Sequence, residues 1–350
     1  MRKKLKRYSI FLALVMFLSV LSGCSSGGEE ASGETAGKAA EPVTINMCHF
    51  LSNQHPVHTN ILVPFSEAVL EQTEGRVEFV IYPNNELGAP STFVDQVLSG
   101  SLGAGFALAA YTPGRFLLTS ILEFPFMFEN SLQGNLVAYD VMQDLQDAEY
   151  KDMKLLWVGG TDVAKILINK DVSTVDGLAG LKLRSPGLLY NDVFRAMGAT
   201  ELSLPVSDLY DAMDRGIVDG SLMSPSALVS FKLAEVTENV MDIDVYMNPM
   251  IFFVNKDLWG KISPEDQKII EDLIAEFPPK IGAQYDEEFQ HGMDVANETG
   301  IKVIPLSDEE KAKFRAICDP LKEKWLADMD AQGLPGTEIY EKVLQSIEQH

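Results

Sequence analysis

The chain has 350 residues, with 28 Lys and Arg against 51 Asp and Glu, for a formal charge of −23. A body this acidic does not hold nucleic acid or an anionic membrane through its general field, and it repels small anions at long range, so an anionic ligand needs a local cation. The length exceeds what one hydrophobic core usually fills, so two lobes are expected.

Residues 1–24 have the layout of a processing segment. Arg2, Lys3, Lys4, Lys6 and Arg7 precede the apolar run Ile10 to Leu21, and those twelve residues fall short of the ~20 that a membrane span needs. A cleaved export signal fits, with an uncleaved anchor as the other reading. The run ends Leu21-Ser22-Gly23-Cys24, similar to a bacterial lipobox, and this similarity implies that Cys24 becomes the lipidated first residue of the mature protein. Residues 25–41 are rich in Gly, Ser, Ala and Glu and carry no large apolar side chain, the composition of a flexible tether. Anchor and tether together would hold the remaining chain against the outer face of the cytoplasmic membrane. Loss of five cations on cleavage takes the charge to −28. Cys48 and Cys318, far apart in sequence, either pair or stay as buried thiols.

Val43 to Phe50 alternates as a strand, His58 to Thr73 has helical spacing, and Arg76 to Pro83 is a second strand. Pro90 to Leu98 reads as a helix, and Gly103 to Ala109 as a small-residue strand that lets something approach closely. This β-α-β-α-β order predicts an α/β fold with a mostly parallel sheet and flanking helices. Ser131 to Asp147 follows as a helix and Met153 to Val158 as a strand.

Lys165 to Asn169 is a strand where the chain is expected to cross into a second lobe. In Val175 to Gly187, Asp176 to Leu178 form a short turn, Gly180 closes it, and Leu181 to Ser185 alternate as a strand. Arg184 therefore stands at the carboxyl end of a strand, the end that faces the ligand crevice in open α/β sheets. A guanidinium there can grip a carboxylate through two parallel hydrogen bonds. A helix from Leu189 to Met197, a strand from Glu201 to Leu204, a helix from Ser207 to Asp214 capped by Ser207, and a strand from Ile217 to Met223 come next. Asp242 to Asn248 and Met250 to Asn255 flank Pro249 as a return crossing. Ser263 to Asn297 predicts a long helix kinked at Pro278-Pro279. A strand from Gly300 to Ile304 and helices from Ser307 to Asp328 and Thr337 to Gln349 complete the chain.

His55-Pro56, Thr73-Glu-Gly-Arg76, Tyr82-Pro-Asn-Asn-Glu-Leu-Gly88 and Leu122-Glu-Phe-Pro-Phe-Met-Phe128 resemble the DctP-type solute-binding proteins of TRAP transporters. The likeness continues through Leu178 to Arg184, Met197-Gly-Ala199, Leu209 to Ala212 with Gly216 to Gly220, and Asn255 to Trp259, in family order over nearly all of residues 43–305. It implies a two-lobed periplasmic-binding-protein-like fold, with a long helix linking the lobes, that closes on a small acid and delivers it to a membrane permease. It also implies that Arg184 is the arginine that holds the ligand carboxylate. The expected lobes are 42–161 with 250–289, and 162–249 with 290–350.

The departures from the family pattern bear on the ligand. Ala164-Lys165 stands where many members have a second arginine, leaving Lys165 as a point charge. Ser221-Leu222-Met223 replaces the frequent Gln-Glu-Asn, removing an amide expected to bond the ligand. Either the pocket is less polar, suiting a monocarboxylate with an apolar or aromatic body, or its polar contacts have moved. Phe50, Phe106, Tyr111, Trp157 and Met223, near predicted strand ends, are the candidates to line it, and Asn248 is the candidate polar contact.

His49, His55 and His58 invite a metal reading, but His49 lies on the opposite strand face from its neighbours and no carboxylate joins them within the loop, so hydrogen bonds of loop and helix start are favoured and no metal or cofactor is expected. The chain carries no Gly-x-Ser-x-Gly elbow, His-Glu-x-x-His or phosphate loop, which argues against an enzyme. The expected partners are a small organic acid, the TRAP membrane subunits and, through the lipid anchor, the membrane. A receptor that presents its ligand to a membrane sensor is the first alternative, and an exported enzyme or a metal-binding lipoprotein is the lesser one.

Overall fold

The computed structural model describes residues 42–185, 187 and 189–350; the expected export signal, the proposed lipidation site Cys24 and the expected tether lie outside them. Eleven strands occur among the described residues: β1 Val43–His49, β2 Val77–Tyr82, β3 Ala104–Leu108, β4 Met153–Gly160, β5 Lys165–Ile168, β6 Lys182–Ser185, β7 Thr200–Ser203, β8 Gly220–Met223, β9 Asn239–Asp242, β10 Pro249–Asn255 and β11 Lys302–Pro305. They form a sheet ordered β2-β1-β3-β10-β4 and a second ordered β11-β9-β5-β8-β6-β7. β1 runs parallel to β2 and β3, while β10 lies antiparallel between β3 and β4. In the second sheet β5 is the antiparallel strand, between β8 and β9.

β3 is buried along its whole length, as is β10 as far as Val254, which matches their nearly unbroken apolar sequences. Gly105 is required where they meet. A Cβ there would lie 2.6 Å from the ring of Phe253, so the close approach read from the small residues of β3 is made by an aromatic of the neighbouring strand. No helix among the described residues is long and apolar enough to cross a membrane.

The two antiparallel strands are those that return from the other sheet. The chain leaves β4 through residues 161–164 to reach β5, and leaves β9 through residues 243–248 to reach β10. The two passages bond to each other, with Ala164 N donating to Tyr246 O at 2.7 Å, Val245 N to Ala164 O at 2.9 Å and Thr161 N to Asn248 O at 3.1 Å. Within the expected return crossing, residues 243–248 form no regular strand. Three of their backbone bonds go to the first passage, while Val245 O accepts from Phe126 N at 2.6 Å, and β9 ends where they begin.

Proline redraws the long helices. Instead of one kinked helix, Pro264–Ile274 and Phe277–Thr299 are separate, and Pro278 and Pro279 sit in the first turn of the second, where the missing N–H is not needed. Pro320 likewise divides the expected helix over Ser307 to Asp328 into Asp308–Cys318 and Pro320–Ala331. Ser131–Asp140 and Met142–Ala148 replace a single helix, and Ser207 lies inside a short 3-10 turn rather than capping Leu209–Asp214.

The helix Phe277–Thr299 touches both halves at glycines. A Cβ on Gly282 would lie 2.5 Å from Leu132 Cα, in the helix Ser131–Asp140, and one on Gly292 would lie 2.1 Å from Pro225 O, just after β8. The carboxyl-terminal helices do not all pack with the second sheet. Asp308–Cys318 contacts the helix Leu189–Ala196, but Gly336–Ile347 packs on Ser131–Asp140. Trp325 Nε1 donates to Leu117 O at 3.1 Å and to Ser120 Oγ at 2.9 Å. Cys48 and Cys318 are both free and buried.

Candidate ligand-binding site

Arg184 ends up 1% exposed. Its strand β6 lies between β7 and β8, with Arg184 in register with Leu202 and Ser221. Nε donates to Leu204 O at 3.0 Å and Nη1 approaches Met223 Sδ at 3.8 Å. Nη2 is buried and has no hydrogen-bond partner among the described residues. None of the ion pairs among the described residues engages this guanidinium, although the chain is so rich in acids. A buried cation without a countercharge carries a desolvation cost of several kcal/mol that an arriving anion would relieve.

The space beside it is a cavity of ≈ 30 Å³. Phe50, Met223, Asn248 and Arg184 line it, so four residues named from the sequence converge here. Tyr111 packs edge-on to Phe50, ring centroids 5.4 Å apart, and its hydroxyl accepts from Val206 N at 3.4 Å, joining the loop after β3 to the segment after β7. Asn248 sits at the end of the second passage, its Nδ2 bonded to Tyr246 OH at 3.0 Å and its Oδ1 unpartnered.

Three of the named residues lie elsewhere. Phe106 and Trp157 stack at 5.7 Å in the core of the first half, packed by Phe252 and Phe277, because their side chains point into the layer between sheet and helices. Lys165 is bound by Asp242 at 2.5 Å and Asp244 at 2.6 Å, so its charge is already neutralised. It does not stand in for a second arginine.

The sequence reading missed Thr161, Ser224, Ser226, Phe231 and Tyr285, which line the same cavity. Thr161 and the neighbouring Asp162 belong to the first passage. Buried Asp162 accepts from Ser226 N at 3.0 Å and Ser226 Oγ at 2.7 Å, tying that passage to the segment after β8. Burial pushes its carboxyl up to about 6. Burial likewise raises Glu288, on the linking helix, to about 8, and Glu123, in the loop after β3, to about 8.

The three histidines split into two roles. His49 Nε2 and His58 Nδ1 share a hydrogen bond of 2.9 Å, and burial pushes His49 down to about 3. His55 instead lines the cavity, and burial lowers it to about 4. Among the described residues no group of three or more His, Cys, Asp or Glu is arranged to hold a metal.

Comparison with known proteins agrees with this layout. The family described as bacterial extracellular solute-binding protein, family 7 (DctP), matches residues 47–328. A TRAP solute-binding protein from a marine metagenome, specific for aromatic acid ligands and solved with 3-hydroxybenzoate, superposes with a TM-score of 0.82 at 26% identity, covering 88% of this chain and 99% of that one. A TRAP periplasmic solute-binding protein of Bordetella bronchiseptica, solved with mandelate, shares the fold with a TM-score of 0.82 at 24% identity, covering 88% of this chain and 99% of that one. The 2,3-diketo-L-gulonate-binding periplasmic protein YiaO of Escherichia coli is 23% identical over 274 residues, 76% of this chain and 82% of that protein. With most of its length matched by one family and its two sheets arranged as in these TRAP proteins, the chain belongs to the DctP family of bacterial extracellular solute-binding proteins.

Proposed function

We propose that this chain captures a small organic acid outside the cytoplasm and delivers it to the membrane permease of a TRAP transporter. The observation that carries the reading is Arg184, a buried guanidinium with no carboxylate partner and a free Nη2 beside a cavity walled largely by apolar side chains. Its fork matches a carboxylate. Phe50, with Tyr111 packed against it, Met223 and Phe231 favour an apolar or aromatic body behind it, and Lys165, being paired, offers no grip for a second carboxylate. The marine relative specific for aromatic acids supports the same class.

Capture works by closure. Residues 42–161 with 250–289 form one moving body, residues 162–249 with β11 form the other, and the passages 161–164 and 243–248 are the hinge. Closing brings Phe50 and Tyr111 over Arg184 and excludes water, and the energy of the grip selects the closed form. Cys24 carries the lipid that keeps the protein at the outer face of the cytoplasmic membrane.

A thermal-shift panel of aromatic, branched-chain 2-oxo and C4 acids tests the reading. Aromatic monocarboxylates are expected to raise the unfolding temperature most. A panel in which no organic acid does so would refute it.

A further inference from the structure

The cavity at Arg184 adjoins a second one of ≈ 320 Å³. His55, Ser226 and Ser230 line both, whereas Arg184 lines only the first and Glu288 only the second. The shared wall therefore separates the cavity that Arg184 lines from the one that Glu288 lines.

The state of His55 on that wall is fixed by its neighbour. Its Nδ1 accepts from the backbone N–H of Val57 at 3.2 Å. A backbone amide only donates, so the ring proton sits on Nε2. That nitrogen faces Glu288 Oε2 at 4.0 Å, beyond hydrogen-bond reach, and Glu288 Oε1 is buried with no partner. Burial keeps both groups neutral near pH 7, the imidazole lowered to about 4 and the carboxyl raised to about 8. A neutral N–H donor and a neutral carboxyl thus flank one space without satisfying each other. A second carboxylate is poorly served there, since the nearby Asp162 and Glu287 repel it and the one ammonium lining the outer cavity, Lys232, is exposed to solvent.

Resting on the acid-binding reading above, we infer that the ligand is a hydroxy acid whose carboxylate meets Arg184 and whose hydroxyl sits between His55 Nε2–H and the Glu288 carboxyl. A hydroxyl both accepts and donates, which is what that pair lacks. His55 and Glu288 are then specificity residues: they select among acids that Arg184 holds equally well.

Calorimetric titration with benzoate, 3-hydroxybenzoate, 4-hydroxybenzoate and 3-methoxybenzoate tests this. At least one hydroxybenzoate is expected to bind about tenfold or more tightly than benzoate, the worth of one or two well-placed hydrogen bonds. The methoxy compound, which cannot donate, should lose most of that gain. Glu288→Leu and His55→Leu should each bring the ratio of hydroxybenzoate to benzoate affinity towards one, and Glu288→Gln should preserve it. If either leucine variant fails to fold, the other leucine variant with the Glu288→Gln control still decides. Equal binding of all four acids by the wild type, or a ratio untouched by Glu288→Leu, would overturn the hydroxyl subsite and leave the Arg184 reading standing. Failure of the wild type to bind any of the four or any acid of the wider panel would instead remove the acid-binding reading itself.

Discussion

Arg184 is buried without a countercharge, and this sets how the empty and loaded protein should respond to its loss. In the empty protein the lobes are open on this account, so Arg184→Met removes a cation that has no countercharge and is not fully desolvated, and the unfolding temperature should hold. A thermal melt without ligand checks this, and a marked fall would mean that the guanidinium is paired. The placement of Arg184 at a strand end was legible because a strand end can be read from five residues. The fate of Lys165 was not, since Asp242 and Asp244 lie 77 and 79 residues away. Nor could alternation separate Phe50 and Met223, which reach the cavity, from Phe106 and Trp157, which turn into the core: period two gives the face, not the layer it meets.

The buried acids and histidines give stability a pH dependence of known sign. Glu123 and Glu288, raised from 4.5 to about 8, keep protons in the folded state that the unfolded chain has released, so stability falls as pH rises between those values. Asp162 adds to this only up to about 6. His49 and His55, lowered from 6.5 to about 3 and about 4, act oppositely and cost stability as pH drops below 6.5. Between pH 6.5 and 8 the two glutamates dominate, each giving roughly 1.4 kcal/mol per pH unit. Urea unfolding across that window should show the decline, and Glu123→Gln should remove about half of it. A flat profile in the wild type would contradict the burial of both carboxyls.

At the scale of elements, the linking helix Phe277–Thr299 is fastened by two glycines that spare no room for a methyl group. Gly292→Ala would drive a Cβ against Pro225 O, and Gly282→Ala one against Leu132 Cα, both rigid backbone atoms. Each should cost about 1–3 kcal/mol by overpacking, read as a fall in the urea midpoint. Gly292→Ala should in addition weaken acid binding, because it pushes the helix off the segment that holds Ser226. Equal stability of either variant would mean the helix does not lie so close. The helices and most strands were legible from periodicity and from glycine and proline stops. Their breaks at Val141 and Asp319 were not fully read, nor was the run 243–248, whose alternation imitates a strand while three of its backbone hydrogen bonds serve the other passage. The wall residues Thr161, Ser226 and Tyr285 carry no local signal at all. They come from a passage, a loop and a helix, and only the tertiary fold brings them together.

At the scale of the molecule, an acidic body that captures an anion has to separate its far field from its near one. The acids lie mainly on the surface in pairs or in water, whereas the one cation at the cavity is buried and kept free of them. Long-range repulsion slows the approach of an anion, and added salt should relieve it. Association rates for the best ligand, measured by stopped flow, should therefore rise with ionic strength while the dissociation rate changes little. A fall in the association rate would indicate a cationic approach path that the fold does not display. The buried grip, shielded from salt, is what closure completes.

That grip is tested most directly by calorimetric titration of the best acid from the thermal panel into the wild type and Arg184→Met. The wild type should take up one acid per chain, and the variant, losing two charge-assisted hydrogen bonds of roughly 1.5–3 kcal/mol each, should bind about a hundredfold more weakly or worse. Unchanged affinity in a folded Arg184→Met protein would show that the carboxylate is held elsewhere.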